Sequence, residues 1–387
     1  MQIYLDYSAT TKPCPEAIAK MEEIFQAQWG NPSSLHFWGN RAATVIEQAR
    51  IQVAELINAP AEAIVFTSGG TEANNLALFG VAKRYSFPQH LIISSIEHPA
   101  VAEPARILQE SGWQVTKLPV NQQGRINPLD LSSAIRPNTV LASVIYGQSE
   151  VGTIQPLAEL AQIARNQGIL FHTDAVQAAG RLAIDLEELP IDLLSLSSHK
   201  LYGPQGVGAL YIRPGVRLKP HLLGGGQESG LRPGTQPVAI IGGFGEAAKI
   251  AKQELSQESQ RLEKLRDRLY THLTDCPYLI PTGDRIQRLP HHLSFILNPR
   301  LLSEKITGKT LVRQLNLAGI GISSGSACQS GKLNPSPVLL AMGYSPTEAI
   351  RGIRLTLGRD TVSADVDWTA MVIKQILERI KPQLLTV

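Results

Sequence analysis

Short apolar runs alternate with longer amphipathic stretches over the first two thirds of the chain. The runs are rich in Ile, Val and Leu and predict buried strands, whereas the stretches between them carry apolar residues at helical spacing. Strands that alternate with helices form βαβ units, in which neighbouring strands run parallel. The pattern therefore predicts an α/β fold with a doubly wound, mainly parallel sheet. Strands are expected at 64–67, 91–94, 140–146, 169–172 and 191–196, and helices at 71–83 and 157–166.

The pattern changes near residue 253. The stretch 253–273 is highly charged and spaces its leucines along one helical face, which predicts a long connecting helix. The rest of the chain has the mixed order of an α+β domain. We therefore expect a large domain over 15–260 and a small domain made of 1–14 with 261–387. In the small domain, strands are expected at 292–297, 320–322 and 353–357, and helices at 310–317 and after a capping Ser363.

Composition and charge narrow the classes of protein that the chain can belong to. The 387 residues are 43% hydrophobic and 18% charged, which is typical of a folded protein with a sizeable core. The net charge is only +3 and no run of Lys or Arg stands out, so nucleic acid is not an expected partner. The amino terminus lacks the features of a signal peptide, and no apolar stretch is long enough to span a bilayer. We expect a soluble, cytoplasmic protein without membrane contact.

The cysteines fit the same interpretation. Cys14, Cys276 and Cys328 are far apart and form no C-x-x-C pair, so neither a disulfide framework nor a metal site is expected. Reduced thiols are typical of a reducing compartment.

Lys200 is the most informative candidate for chemistry. It follows Ser197, Ser198 and His199 at the end of an apolar run and precedes a loop rich in Gly and Pro. The carboxyl ends of strands are where α/β enzymes hold cofactors. A buried amine there can lose its charge and attack a carbonyl to form a Schiff base. From this stretch alone, a solvated lysine at a loop edge is an equal alternative.

Other candidates follow neighbouring strands. Gly70 and Thr71 open a helix after the strand at 64–67, which favours an anion site, although an ordinary turn with Thr71 as the cap is an alternative. Asp174 follows the strand at 169–172 and can keep a heterocyclic nitrogen protonated, with Gln177 nearby, or can simply cap a helix. His98 follows the strand at 91–94 and can stack on a flat ring, or lie at the surface.

Two further candidates lie in the small domain. Cys328 sits among small residues in the segment 323–331, where a thiol can meet a reactant, and an incidental surface cysteine is the alternative. Arg354 lies in a strand-like run, where its planar guanidinium suits a substrate carboxylate or a structural salt bridge.

One motif resembles a dinucleotide fingerprint. The run 238–248 contains G-x-G-x-x-A after apolar residues. A true fingerprint needs a second strand with an acidic end about 20 residues on, but the chain that follows is charged and helical in pattern. We therefore interpret 237–255 as a helix whose glycines allow close packing.

In combination, these features resemble the fold-type I, aminotransferase-like enzymes that use pyridoxal phosphate, and within them the cysteine desulfurases of the NifS/IscS type. The resemblance runs from 4–11 (YLDYSATT) through 30–34 (GNPSS) to 357–359 (LGR). Its most specific parts are SSHKLYGPQGVGALY at 197–211 and SSGSACQSG at 323–331. The fold it implies has a large domain with a seven-stranded type of sheet between helices and a smaller α+β domain.

The resemblance implies a role for each matching residue. Lys200 would bind pyridoxal phosphate covalently, Asp174 would pair with its ring nitrogen, and Thr235 would reach the phosphate in a partner subunit, which implies a homodimer. The family usually has Asn-Asn-Glu where this chain has Gln148-Ser149-Glu150, and the second of those asparagines helps to hold the substrate carboxylate. Ser149 is shorter, so Gln148 or a water is an alternative for this contact. The implied catalytic residues are Lys200, Cys328 and His98; the cofactor contacts are Gly70, Thr71, His98, Asp174, Gln177, Ser197, His199, Lys200 and Thr235; the substrate contacts are Arg354, Ser149 and Asn31.

The activity implied by the resemblance is removal of sulfur from L-cysteine. The products would be L-alanine and a persulfide on Cys328, which an iron–sulfur scaffold or another sulfur-acceptor protein would receive. A selenocysteine lyase or cystine lyase of the same fold is the nearest alternative. An oxidoreductase that binds a dinucleotide, and a non-catalytic sulfur-transfer protein, are alternatives from other classes.

Overall fold

The fold is seen in a computed structural model, which describes residues 2–325 and 334–380. Strands and helices alternate over residues 64–174, no α-helix separates the strands between residues 170 and 212, and the order is mixed beyond residue 274. The elements are β1 (Ile3–Tyr4), α1 (Pro15–Ala27), α2 (Phe37–Leu56), β2 (Ile64–Thr67), α3 (Gly70–Ala82), β3 (His90–Ser94), α4 (Pro99–Glu110), β4 (Gln114–Leu118), α5 (Pro128–Ala134), β5 (Thr139–Ser143), α6 (Leu157–Asn166), β6 (Leu170–Asp174), β7 (Leu193–Ser197), β8 (Gly208–Ile212), α7 (Val238–Thr274), β9 (Leu279–Pro281), β10 (His292–Leu297), α8 (Gly308–Leu317), β11 (Ile320–Gly321), β12 (Ser323–Ser324), α9 (Pro337–Ala341), α10 (Pro346–Ala349), β13 (Gly352–Thr356) and α11 (Ser363–Ile380).

A seven-stranded sheet in the order β2-β8-β7-β6-β5-β3-β4 forms the centre of the molecule. β8 is antiparallel to both of its neighbours, and the other pairs along the sheet are parallel. β2, β3, β7 and β8 are buried at every position, as expected of strands covered by helices on both faces. Six strands therefore end at the same edge, and the predicted α/β fold with a mainly parallel sheet is confirmed.

The later part of the chain builds a second sheet with its own core. Its strands follow the order β12-β13-β10-β9 and are antiparallel, and β1 pairs with β11 alongside. Leucines of α7 pack with residues of β10, β13 and α11, and Ile3 and Leu5 from the amino terminus join the same core. A separate core supports the predicted division into domains, which stays a prediction.

The long helix α7 joins the two cores. Its 37 residues combine two stretches that the sequence pattern predicts as separate helices, and at 1.5 Å per residue they span about 55 Å. A Cβ at Gly242 would lie 2.2 Å from Ile24 Cδ1, and one at Gly245 would lie 2.6 Å from Ala49 Cα. The glycines therefore serve the packing of α1 and α2 against α7. Since they lie inside a helix, the interpretation that rejects a dinucleotide fingerprint holds.

Several boundaries differ from the sequence-based expectation. β5 ends at Ser143, three residues earlier than predicted, while β6 extends through Asp174. Gln177 lies in a turn after β6 rather than at the start of a helix. α11 begins at Ser363 itself, and the Asp365 carboxylate accepts the hydrogen bond of the Val362 amide, so the acidic side chain satisfies the helix end that Ser363 was expected to cap. None of the helices in the described ranges is long and apolar enough to cross a membrane.

Candidate active site

The loops at the carboxyl edge of the large sheet bring ionisable groups together. Asp174 and Lys200 both influence the pKa of His98, and Arg354, Asp174 and Asp6 all influence the pKa of Lys200. Because Coulomb interactions weaken with distance and solvent screening, these five residues lie in one cluster. We call them the active-site cluster. The sequence separation between its members shows that only the fold can assemble it.

Lys200 ends the short 3₁₀ turn that follows β7. Its Nζ donates hydrogen bonds of 2.6 Å to the carbonyl oxygens of Ser8 and Ala9. Burial, reinforced by the charge of Arg354, lowers the pKa of the amine to about 8. An amine with this pKa is partly neutral near physiological pH, which is what a nucleophile or a base requires.

Asp174 is the last residue of β6 and is buried. Its Oδ2 accepts a 2.7 Å hydrogen bond from Asn74 Nδ2, and its Oδ1 accepts one of 3.0 Å from the Val176 amide. No cation in the described ranges forms an ion pair with it, so the carboxylate keeps its capacity to bind a positively charged group. A protonated ring nitrogen is such a group.

His98 is the N-cap of α4. Its Nδ1 accepts a 3.1 Å hydrogen bond from the Ala100 amide, which requires that nitrogen to be unprotonated. Burial lowers the pKa of the imidazole; Asp174 opposes and Lys200 reinforces this effect. The ring is thus neutral with its proton on Nε2, and a neutral flat ring suits stacking.

The turn between β2 and α3 has the properties of an anion site. α3 begins at Gly70, and within the described chain no side chain caps its first turn at Gly69. A Cβ at Gly70 would lie 2.7 Å from Val176 Cγ2 and 3.5 Å from Ser197 Cβ. Gly70 and Ser197 are therefore neighbours, and the exposed Thr71 follows in the same turn. The helix amides remain for an anion.

His199 and Gln177 are both tied to the amino-terminal segment. His199 Nδ1 lies 3.0 Å from Thr10 Oγ1, and burial together with Lys200 lowers the pKa of this histidine to about 4. Gln177 Nε2 donates a 2.9 Å hydrogen bond to the Ser8 carbonyl. The same carbonyl accepts from Lys200, so the segment around Ser8 links Gln177 to the active-site cluster.

Arg354 reaches the active-site cluster from β13 of the second sheet. Its Nη2 donates to Asp6 Oδ1 at 2.6 Å and its Nη1 donates to the Ser149 carbonyl at 3.0 Å. The same carbonyl lies 3.0 Å from His292 Nε2. The contact at Ser149 is made by the main chain, so the length of its side chain does not enter it. Nε of Arg354 is buried without a partner in the described part of the chain.

Thr235, Asn31 and Cys328 have no described contact with the active-site cluster or with the residues around it. Thr235 is exposed in the loop before α7, and Asn31 is exposed with its side chain accepting from the Ser33 amide at 3.0 Å. Their contacts within the described structure do not reach Lys200 or Asp174. Cys328 lies outside the described residues. The roles of all predicted site residues stay predictions, and those of Thr235 and Asn31 require a second subunit or a different contact.

Several contributing residues carry no signal in the sequence pattern. Asn74 lies inside α3 and supports Asp174, while Asp6 pairs with Arg354 from the other end of the chain. Glu97 precedes His98 and is buried. An Asn or Glu inside an otherwise helical or loop-like stretch is usually solvated, and only the run 4–11 in the resemblance marks the segment of Asp6.

A buried polar layer supports the strands behind the site. His172 on β6 lies 2.8 Å from Ser143 Oγ on β5 and 3.0 Å from Ser195 Oγ on β7. Burial lowers the pKa of His172 to about 3, so the imidazole is neutral. It can donate from one nitrogen and accept at the other, which locks three adjacent strands just below Asp174.

Comparison with known proteins decides the family. The family model described as "Aminotransferase class-V" matches residues 3–368. The chain belongs to this family. Among its relatives, "Cysteine desulfurase IscS" of Dictyoglomus turgidum is 42% identical over 386 residues, which cover 98% of this chain and 95% of that protein. "Cysteine desulfurase IscS" of Methylococcus capsulatus is 44% identical over 385 residues, covering 98% and 94%.

Solved structures of the family agree with the fold. One described as "NIFS-LIKE PROTEIN" is 35% identical with a TM-score of 0.91 and covers 98% of this chain and 100% of that one. Another, "SspA in complex with cysteine", is 34% identical with a TM-score of 0.81 and covers 94% and 100%. These findings confirm the predicted resemblance, the fold class, the cysteine desulfurase function and pyridoxal phosphate as the cofactor of this class-V enzyme.

The described residues fit pyridoxal phosphate. The cofactor carries a phosphate, a basic ring nitrogen and an aldehyde, and the site offers an uncapped helix start at Gly70, a buried carboxylate at Asp174 and an amine of lowered pKa at Lys200. The Gly70 backbone also lies too close to Val176 for a side chain. The Ser68 and Gly69 amides of this turn donate to Glu72 Oε2 and Thr67 Oγ1, so the amides at the start of α3 are the ones left for a phosphate. Each functional group of the cofactor thus has a counterpart of suitable chemistry.

Proposed function

We propose that this class-V enzyme removes sulfur from free L-cysteine at the active-site cluster and passes it to the thiol of Cys328. The observation that carries the proposal is the amine of Lys200, whose pKa is lowered to about 8 and which lies within the electrostatic reach of Asp174 and Arg354. The three groups match the three needs of the reaction: a base, a counter-charge for the ring nitrogen and a site for the substrate carboxylate.

The bound cofactor supplies an aldehyde that condenses with amines and a ring that accepts electrons. Lys200 removes the proton from the α-carbon of cysteine and returns a proton later, as its pKa near neutrality allows. Asp174 would hold a proton at the ring nitrogen of the bound cofactor, and Asn74 fixes the direction of its carboxylate. His98 would cover the ring as a neutral imidazole.

Arg354 binds the carboxylate of the substrate. Its guanidinium is oriented by Asp6 on one side and by the Ser149 carbonyl on the other. Asp6 neutralises part of the charge before substrate arrives, so the guanidinium is held in place without a full uncompensated charge in a buried site.

Sulfur transfer balances without an external oxidant. The thiolate of Cys328 attacks the sulfur of the substrate, an S–S bond forms, and the C–S bond breaks. The electron pair of that bond returns to the carbon, which is protonated, so cysteine and the enzyme thiol become alanine and the enzyme persulfide. A reducing thiol or an acceptor protein then removes the persulfide sulfur.

Mass spectrometry of the protein after brief exposure to cysteine tests this proposal. We expect the mass of one added sulfur atom, on a peptide that contains Cys328. Cys328→Ala should retain cofactor absorbance and lose the added sulfur, whereas Cys276→Ala is the matched control because Cys276 is a buried free cysteine in the second core. Added sulfur in Cys328→Ala, or full desulfuration by it, would contradict the assignment of Cys328.

The absorption spectrum tests the assignment of Lys200 separately. Lys200→Ala should lose the near-visible band of a cofactor condensed with the protein, and an unchanged spectrum would contradict the covalent role. A third assay distinguishes the proposed desulfurase from a selenocysteine or cystine lyase. It compares alanine release from cysteine, selenocysteine and cystine in wild type and Cys328→Ala, since a lyase would keep its activity without the thiol.

The enzyme acts as a homodimer in this proposal. Large apolar side chains are exposed between α1 and the start of α2: Trp29 (66% exposed), Leu35 (96%), Phe37 (64%) and Trp38 (52%). An apolar surface of this kind is typical of a subunit interface. The exposed position of Thr235 is consistent with a contact in the neighbouring subunit. Sedimentation analysis should give twice the chain mass, and Trp38→Glu should shift the population towards monomer.

The sulfur acceptor is an iron–sulfur scaffold or another acceptor protein, and the enzyme acts in the cytoplasm. Two of the three cysteines are free and buried in the described structure, which fits a reducing compartment. Transfer of labelled sulfur from the loaded enzyme to a purified scaffold protein tests the acceptor. Release of all the label as free sulfide with the scaffold present would contradict it.

A further inference from the structure

Glu97 is a buried carboxyl group to which the proposed reaction assigns no role. It precedes His98 in the loop between β3 and α4 and is 8% exposed. Its Oε1 accepts hydrogen bonds from Ser94 Oγ at 2.5 Å and from the Ile145 amide at 2.8 Å. Glu97 therefore connects the end of β3 to the chain just after β5.

The other carboxyl oxygen has a different environment. Oε2 of Glu97 is buried and has no hydrogen-bond partner among the described residues. The charged group with the largest effect on the pKa of Glu97 is Asp174 at the end of β6, which is negative, and no cation of the described ranges forms an ion pair with Glu97. An ionised carboxylate in such a position would be a buried charge beside another of the same sign.

We propose that Glu97 is held as a neutral carboxylic acid and is a positioning residue, which fastens the His98 loop to the chain after β5 without adding a second negative charge beside Asp174. The proton resides on Oε2, because Oε1 already accepts two hydrogen bonds. The positioning role rests on the proposed function of His98, whereas the protonation state does not.

The electrostatics agree with this geometry. Burial, opposed by the hydrogen bonds of Ser94 and Ile145 and reinforced by Asp174, raises the pKa of Glu97 to about 8. The titratable groups around it are Asp174 from β6 and His98 from its own loop, and Lys200 acts on His98 from the turn after β7. With Glu97 neutral, Asp174 keeps its full effect on a ring nitrogen, and His98 stays neutral.

A second contact fixes the same loop. Gln148 Nε2 donates to the Ile96 carbonyl at 3.2 Å, and its Oε1 accepts from the Val151 amide at 3.1 Å. Glu97 and Gln148 thus hold the loop from both sides, through groups that are both neutral. Glu97→Gln preserves the shape and neutrality of the protonated acid, while Glu97→Ala removes both hydrogen bonds of Oε1.

Difference infrared spectroscopy, wild type minus Glu97→Gln, tests the protonation state with or without cofactor. A carbonyl stretch of a protonated carboxylic acid should be present at pH 7 and lost as the pH rises through about 8. Its absence at pH 7 would overturn the proposal. An inactive wild type that still shows this band would contradict the proposed function and leave the protonation state of Glu97 established.

The cofactor spectrum and steady-state kinetics test the positioning role. Glu97→Gln should keep the cofactor absorbance and most of kcat, and its activity should lack the alkaline decline that ionisation of Glu97 causes. Glu97→Ala should shift the cofactor absorbance and lower kcat by about tenfold or more, since a misplaced ring disturbs the site. Equal losses in both variants, or wild-type spectra and kinetics in Glu97→Ala, would overturn the role. If Glu97→Ala does not fold, Glu97→Gln alone tests the positioning role. Loss of the cofactor absorbance in Glu97→Gln would mean that the site needs the ionised form of Glu97, which would overturn the proposal.

Discussion

Glu228 offers a test of how the loop before α7 is held. Its carboxylate accepts four hydrogen bonds, from Arg50 Nη1 (2.7 Å), Arg50 Nη2 (3.0 Å), the Phe66 amide (2.9 Å) and Gln236 Nε2 (2.9 Å). Glu228 and Ser229 both adopt left-handed backbone angles, with φ of 48° and 55°. The side-chain contacts therefore hold a backbone conformation that non-glycine residues rarely adopt.

We expect Glu228→Ala to lower the free energy of unfolding by about 3 to 5 kcal/mol. The reason is that Arg50, with a side chain only 11% exposed, would keep its charge in a buried site without its partner. Arg50 also lies 4.8 Å from the centre of the Phe66 ring, so it cannot easily turn towards solvent. Glu47→Ala is the matched control, because Glu47 pairs with the same Arg50 but its side chain is 63% exposed, and its loss should cost about 0 to 1 kcal/mol.

Urea unfolding, followed by near-ultraviolet circular dichroism and fluorescence, measures both variants. The pH adds a second readout. Burial would raise the pKa of Glu228, but the hydrogen bonds and charge of Arg50 outweigh it and hold the pKa below the usual 4.5. The pair therefore stabilises the fold above about pH 4.5, and this stability is lost as the pH falls through the lowered pKa. Equal losses in Glu228→Ala and Glu47→Ala would refute the reasoning.

Three further outcomes are expected. Arg354→Lys should raise KM for cysteine by about tenfold or more in an alanine-release assay, because a lysine cannot keep the contacts to Asp6 and Ser149 while it binds a carboxylate; an unchanged KM would exclude Arg354 from substrate binding. Ser149→Asn should leave KM nearly unchanged, since the main-chain carbonyl makes the contact, and a large decrease in KM would show that the side chain matters. We expect the free energy of unfolding of His172→Gln to fall less steeply than that of wild type as the pH is lowered. The pKa of His172 is about 3 in the folded protein and about 6.5 in the unfolded chain, so only the unfolded chain takes up a proton between these values. Wild type therefore loses up to about 5 kcal/mol of stability as the pH falls from 6.5 to 3. The same pH dependence of the free energy of unfolding in wild type and His172→Gln would contradict this prediction.

The strands of the large sheet were predictable because their signal is local. A strand buried on both faces is a short apolar run, as at Ile64–Thr67, and its shortness and the glycine turn after it favour a strand over a helix. The helix at Leu157–Asn166 was predicted with its observed bounds for the same reason. Boundaries such as the end of β5 were less predictable, since Val144 and Tyr146 still bond to the neighbouring strand after the chain has left the regular ladder.

Some residues of the candidate site can likewise be predicted from local pattern, and others cannot. Lys200, Asp174, His98 and Gly70 each lie at or just beyond the end of a strand or at the start of a helix, so their position at one sheet edge follows from strand direction. Asn31 and Thr235 were named through the resemblance alone, and the fold of one chain leaves both exposed. A contact that requires a second copy of the chain cannot be derived from local pattern.

The sequence by itself determined the sheet, the edge where the chemistry gathers and, through its motifs, the family. Local pattern and motif spacing suffice for these, because strand direction and loop position depend on neighbouring residues. Only the tertiary structure decided the electrostatic environment: Asp6 pairs with Arg354 across the length of the chain, and Glu97 lies buried beside Asp174. Burial and the sum of nearby charges set each pKa, and both depend on residues that are distant in sequence.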